Sequence, residues 1–234
     1  MRNSNKYVIG FAVALTVAAA VLLASAATLL KPLQAANMKK EKQQNILTVV
    51  GKTGAEDYLK FDEYIQSLVV DEDGNLVEGI KAFDINLAMD KRVKAKNADH
   101  KLKYPLYVYE ENGSRTYILQ MAGVGLWGPI WGYLALDEDG NTIRSVIFDH
   151  KGETPGLGAE INTRDFQQQF VNKQIFDQSG EFVSVRVTKE PKRDGEMHKV
   201  DAISGGTITS DGVSNMLYED LKFYLAYLQK SKNS

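Results

Sequence analysis

Between Tyr7 and Leu30 the chain runs for 24 residues without a charged side chain. At ~1.5 Å per residue this run forms a helix roughly 36 Å long, enough to cross a ~30 Å hydrocarbon core with some tilt. In that medium every backbone group has to be satisfied within the segment, so a helix is the expected form. Two readings remain open: a retained anchor, or a cleaved signal ending near Ala24-Ser25-Ala26, which has a small-x-small pattern. The run exceeds the ~7–15 residues of a secretory apolar core, and this favours the anchor. Arg2 and Lys6 precede it, while Lys31, Lys39, Lys40 and Lys42 follow. Counting cations therefore does not by itself place the large domain outside. A short tail before a long domain still fits an N-in, C-out single-pass chain, because long domains translocate largely regardless of charge.

About 200 residues follow the run, enough for one sizeable domain or two small ones. With 44% hydrophobic and 25% charged residues, the chain reads as globular and not disordered. A net charge of -2 gives no electrostatic reason to expect nucleic acid as a partner. There is no cysteine, which excludes disulfides, thiol nucleophiles, thiolate metal sites and cysteine-held iron–sulfur clusters. If the chain moves electrons, it does so with something other than its own sulfur.

The pattern along the chain predicts an α+β fold, in which a single N-terminal transmembrane helix leads to a largely antiparallel sheet with packed helices. Residues 34–44 read as a polar helical stalk. Tyr58, Leu59, Phe61, Ile65 and Leu68 recur at helical spacing and predict a helix over 55–69. Asp71 to Asn75 is a turn signal, with a hairpin expected near 69–80. Residues 87–103 read as a solvated helix or loop. Strands are expected at 106–109, 117–121, 132–136 and 142–148. The connections are too short for parallel crossovers, so the strands should pair antiparallel. A helix over 161–176 with Asn162 or Thr163 as its cap, a strand at 183–187 and a final amphipathic helix over 210–230 complete the chain. The expected division is 1–32 for tail and anchor, 33–104 for the stalk and the first part of the outer domain, and 105–234 for the ligand-binding domain.

Three stretches carry candidate chemistry. The first is Asp201-Ala-Ile-Ser204-Gly205-Gly206-Thr207-Ile-Thr209-Ser210. Its glycines let backbone approach a ligand closely, and the helix that follows offers unpaired N–H groups to an anion. An ordinary cap before a helix reads equally well. The second is Glu153-Thr154-Pro155-Gly156-Leu157-Gly158, a backbone-rich loop suited to bracketing a flat ring, or simply a strand-to-helix connection. The third, Gly123-Val-Gly125-Leu-Trp127-Gly128, is a literal G-x-G-x-x-G. Pro129 and a strand pattern follow it where a dinucleotide site needs a helix, so a bent hairpin is expected instead. His100, His150 and His198 have no metal-ligand spacing, and no metal site is expected.

The 201–207 stretch resembles the flavinylation motif D-x-x-S/T-G-A-T, in which the last threonine carries FMN through a phosphoester. Here that threonine is Thr207, and Gly206 stands where the family usually has alanine. An N-terminal span, then GLWGPIWGYLAL, ETPGLGAEI and SGGT ahead of a final helix, occur in fixed order. This arrangement resembles the C subunit of the Na+-translocating NADH:quinone oxidoreductase over nearly the whole chain. The flavin subunit of the related ion-pumping ferredoxin:NAD oxidoreductase is the nearest rival, and a flavin-free membrane-anchored assembly module is the alternative of a different class. The resemblance implies a bacterial inner-membrane protein with its C-terminal domain periplasmic, relaying electrons between other subunits after a flavin transferase has attached covalent FMN. It implies Thr207 as acceptor, with Ser204, Gly205, Gly206, Thr209, Ser210 and Asp201 around the phosphate. Glu153, Thr154, Gly156, Leu157, Gly158 and Trp127 are the implied ring neighbours. No residue is expected to be catalytic in its own right.

Overall fold

The charge-free run forms the first part of α1 (Asn5–Val49), with Pro32 inside it. Thr16 and Thr28 return their hydroxyls to the carbonyls of Ala12 and Ala24, so the polar groups in this stretch are satisfied within the helix. It is one helix long and apolar enough to cross a membrane, with its apolar side chains exposed. The computed structural model describes residues 5–190 and 195–232; Arg2 of the cationic tail lies outside them. The chain divides into two units, the first ending at Lys42 and the second starting at Gln43.

The second unit begins with the last turns of α1, which bury Ile46, Leu47 and Val49. The Ser145 hydroxyl donates to the Val49 carbonyl and ties this end down. Two short helices follow, α2 (Ala55–Leu59) and α3 (Phe61–Tyr64), and then strand β1 (Ile65–Val70). The helix expected over 55–69 therefore stops at Tyr64. Ile65, Val69 and Val70 are β-branched, and all six residues of β1 find partners on a neighbouring strand, which outweighs the helical spacing. The Asp71–Asn75 turn forms as expected, with the Asp71 carboxylate accepting the Asp73 and Asn75 amides. Helix α4 (Leu87–Lys96) is capped by the Asn86 side chain.

Strands β2 (Tyr104–Glu111), β3 (Ser114–Val124), β4 (Pro129–Leu136) and β5 (Ile143–His150) continue from β1 as an antiparallel meander in the order β1-β2-β3-β4-β5. The β2–β3 turn places Asn112 and Gly113 at positive φ, the tight mirror-image turn that matches strand twist. Six consecutive residues of β2, Tyr104 to Tyr109, are buried, because both faces of the sheet are covered. Leu106 and Val108 join one core and Tyr107 and Tyr109 the other, as a period of two requires. The sheet begins at Ile65, so residues before and after 105 share one set of strands.

The long helix expected over 161–176 is not formed. A 3-10 turn (Gly158–Asn162) and the short α5 (Arg164–Gln168) take its place. Beyond them the β4–β5 turn captures the backbone: the Asn141 side chain accepts the Ile175 and Phe176 amides, and Asn172 bonds to Ile143. These long-range bonds outcompete the local i→i−4 pattern. The strand expected at 183–187 shrinks to β6 (Arg186–Thr188), which pairs parallel with β7 (Lys199–Asp201). Helix α6 (Thr207–Lys232) starts three residues before the expected position. It lies on the sheet through Val213, Met216, Leu217, Leu221, Tyr224 and Leu228. On its buried face Asp220, fully buried, accepts from Lys91 Nζ at 2.7 Å, from the Tyr104 hydroxyl at 2.8 Å and from the Ala122 amide at 2.8 Å.

Candidate functional site

Strand β7 ends at Asp201, whose amide donates to the Gln169 side chain. The chain then turns through Ser204 and Gly205 into α6. Gly205 has φ +75, a backbone state glycine reaches without strain, and a Cβ there would strike Leu157 Cδ2 at 2.6 Å. The Gly206 amide donates to the Ile203 carbonyl, and the Ser210 hydroxyl accepts the Ile203 amide. These bonds set the entry to the helix and leave Thr207 exposed at its first position, while Thr209 and Ser210 are buried. The N–H groups of the first turn have no carbonyl one turn back, as at any helix start.

Lys189, one residue beyond β6, donates to Thr207 Oγ1 at 2.6 Å. The parallel pairing makes this contact: Thr188 sits opposite Asp201, and the Ala202 amide donates to the Thr188 carbonyl. Lys189 and Thr207 stand at the edge of a cleft of about 470 Å³, lined also by Arg186, Ser210, Asp211 and Asn215. Neither Lys189 nor Arg186 belongs to any sequence motif. Two three-residue strands 13 residues apart, counted from Arg186 to Lys199, leave no periodic signal that announces their pairing.

The 153–158 loop lies against the other side of the motif. Glu153 is 5% exposed and both its carboxylate oxygens are engaged: Oε1 accepts the Trp127 amide at 2.8 Å and Oε2 the Thr209 hydroxyl at 2.6 Å. Gly125 and Gly158 supply the space, since a Cβ on Gly125 would lie 2.7 Å from Oε1 and one on Gly158 closer still to Oε2. Glu153 thus braces three segments together from within. Thr209 spends its hydroxyl on that brace. The Thr154 carbonyl accepts the Leu157 and Ala159 amides, and Gly156, at φ +74, donates to Glu160 Oε1. This bent backbone leaves Leu157 41% exposed beside Gly205.

Trp127 is 68% exposed, and Leu126 and Ile208 are also open to solvent. The glycine-rich stretch forms the β3–β4 hairpin, closed by the Gly125 amide on the Gly128 carbonyl. Gly123 admits α6, since a Cβ there would meet Met216, and Gly212 on α6 makes the same allowance, since a Cβ there would collide with the Val124 carbonyl. The histidines lie in separate places, His100 on Asp90, His150 on the Glu153 amide and His198 on the Gln174 carbonyl. Among the described residues no group of three or more histidine or acidic side chains is arranged to hold a metal.

An exposed threonine hydroxyl held by a lysine, glycine-lined backbone and the exposed side chains of Trp127, Leu157 and Ile208 lie on the segments gathered around the start of α6. Residues 125–222 match the FMN-binding domain family. That class fits both the sheet-and-helix frame and the cluster around Thr207. The chain belongs to the family of C subunits of the Na+-translocating NADH-quinone reductase. It is 35% identical to the family member from Haemophilus ducreyi over 87% of this chain and 84% of the relative. It is 33% identical to that of Neisseria meningitidis serogroup A over 94% and 92%. The crystal structure of the Parabacteroides distasonis member aligns with a TM-score of 0.72 at 42% identity, covering 85% of this chain and 96% of that one.

Proposed function

We propose that this chain is the flavin-bearing electron-transfer subunit of a membrane Na+-translocating NADH:quinone reductase, with FMN joined to Thr207 through a phosphoester. The observation that carries this reading is the Thr207 hydroxyl, exposed at the start of α6 with an ammonium 2.6 Å away. The residues fit the group. Gly205 and Gly206 bring backbone close and the first-turn amides are available to a phosphate, while the buried Ser210 hydroxyl holds the Ile203 amide and Asp201, bonded through its amide to Gln169, precedes the turn. Leu157, Trp127 and Ile208 offer exposed apolar surface for a flat ring, with Thr154, Gly156 and Gly158 shaping the backbone behind it. When bound, FMN supplies reversible one- and two-electron chemistry. The chain's own residues would hold it, and such an electron relay requires no acid–base pair.

On this reading α1 anchors the protein in the inner membrane within residues 1–32 and the domain after the stalk is periplasmic, with the flavin site inside 105–234. The partners are the other subunits of the redox complex and a flavin transferase that forms the ester. A covalent tether makes ring docking intramolecular, so even a weak ring pocket stays filled outside the cytoplasm. The test is ultraviolet fluorescence of the denatured full-length band after co-expression with a flavin transferase. The wild-type band is expected to fluoresce and Thr207→Ala to be dark with unchanged melting. Fluorescence retained in Thr207→Ala would place the ester elsewhere. A dark wild-type band beside a labelled control substrate would favour the flavin-free module.

A further inference from the structure

We infer that Lys189 is the residue that recognises the flavin phosphate, so that the site selects a phosphorylated flavin before any bond to Thr207 forms. The inference rests on the reading of the Thr207 cleft as the flavin site, and it adds a residue and a ligand class to that reading. The Lys189 ammonium lies 2.6 Å from Thr207 Oγ1. A phosphorus esterified to that oxygen carries its non-bridging oxygens within reach of the same ammonium. An ammonium has three donors and no acceptor, and charge-assisted bonds of this kind are about twice as strong as neutral ones. Arg186 lines the same cleft and adds positive charge, while Asp211 lines it with the opposite sign. The described lining thus sets two cations against one carboxylate beside Thr207, a balance that favours an anion there.

Placement of the lysine is not left to its flexible stem. Strand β6 is held against β7 in register, and the Val187 amide donates to the Ser214 hydroxyl on α6. The strand that leads into Lys189 is thus fastened both to the motif's leading strand and to the helix the motif begins. In attachment the Thr207 hydroxyl gives up its proton to solvent and forms an O–P bond to the flavin phosphate. The phosphoanhydride bond of a flavin dinucleotide breaks in the same step and releases a nucleoside monophosphate. Lys189 faces the charge on the non-bridging oxygens before and after, and it takes no proton.

The test uses the full-length protein in detergent, prepared without transferase, and two probes: riboflavin 5′-phosphate and riboflavin. The wild type is expected to bind the phosphate form at least ~10-fold more tightly, with the ratio falling as salt rises. Lys189→Gln should bring the ratio to about one, and Lys189→Arg should keep most of it, since guanidinium also pairs with phosphate. With transferase added, Lys189→Gln should be labelled at least ~10-fold more slowly than wild type. A wild type with no preference for the phosphate form, a Lys189→Gln variant that keeps it, or wild-type labelling kinetics in that variant would each overturn the role of Lys189. A wild-type preference that Lys189→Gln abolishes, in a protein that is never labelled, would uphold Lys189 and sink the Thr207 ester, so the two failures are distinct. Circular dichroism and melting of Lys189→Gln, an exposed position, check that folding is intact.

Discussion

Asp220 receives all its hydrogen bonds from three different elements, α4, β2 and β3, while standing on a fourth. Burial pushes its carboxyl above the usual range, and the ammonium of Lys91 pulls it back. Removing the carboxylate leaves the buried Tyr104 hydroxyl and Ala122 amide without an acceptor, while Lys91 keeps the Ala122 carbonyl and Glu219; a buried donor orphaned in this way costs about 1–3 kcal/mol. Asp220→Ala is therefore expected to lower the urea midpoint by that equivalent, and Asp220→Asn by clearly less. A midpoint unchanged in Asp220→Ala would show that the network contributes nothing net. Gly158 makes a second demand on one residue: its missing Cβ leaves room for Glu153 Oε2 and Thr209 Oγ1. Gly158→Ala should cost about 1–3 kcal/mol through overpacking and should slow flavin labelling as well, read by melting and by band fluorescence. At this scale Thr207 and its glycines are legible as a candidate site because they stand in consecutive residues. Lys189 is not, because only the β6–β7 pairing makes it a neighbour. Glu153 is legible as a loop residue, yet its inward role depends on the 125–128 turn and Thr209 arriving from elsewhere.

The same economy appears in the turns. Asp71, Asp139 and Asp177 each fold a carboxylate back onto the amides that follow. The backbone N–H of Asn75 leads in holding the Asp71 carboxyl below its ordinary range, and the Ser179 hydroxyl does so for Asp177. For Asp139 partial burial pushes upward, but the bonds from Thr142 and Asn141 outweigh it. A carboxyl depressed by folding contributes stability above its unfolded value of about 3.9, and that contribution is lost as pH falls through the folded value. Melting temperature should therefore decline below about pH 4, and the decline should be shallower in Asp177→Asn; a parallel pH profile would contradict this. Such turns are readable from sequence because they are local. The helix expected over 55–69 failed at Ile65 for the opposite reason, since β2 is a partner that no local window contains. The helix expected over 161–176 failed likewise, because Asn141 reaches across from the β4–β5 turn.

For the molecule as a whole the break at Gln43 gives a practical boundary. A chain starting at Gln43 keeps Ile46, Leu47 and Val49, which are 0%, 2% and 3% exposed. It is expected to fold and melt like the intact domain in detergent. A chain starting at Gly51 forfeits those side chains, each worth about 1.5–3 kcal/mol of burial, and should lose most of its stability or fail to fold. Equal melting temperatures for the two truncations would show that the end of α1 is dispensable. The α+β class, the antiparallel meander and the closing helix were legible from alternation and turn signals. The two-sided burial of the sheet was not, because covering its second face depends on the end of α1 returning to it.

The seat of Thr207 is assembled from pieces at 125–128, 153–158, 186–189 and 201–211, and α6 completes it by docking on β3. A chain being synthesised from its N-terminus has every strand of the meander before it has that helix. Until α6 emerges and docks, the threonine lacks its surroundings. On the proposed reading cofactor loading thus becomes a record of folding: copies cut short before α6 or misfolded around it stay colourless, and pigment marks only molecules in which that helix has found its place.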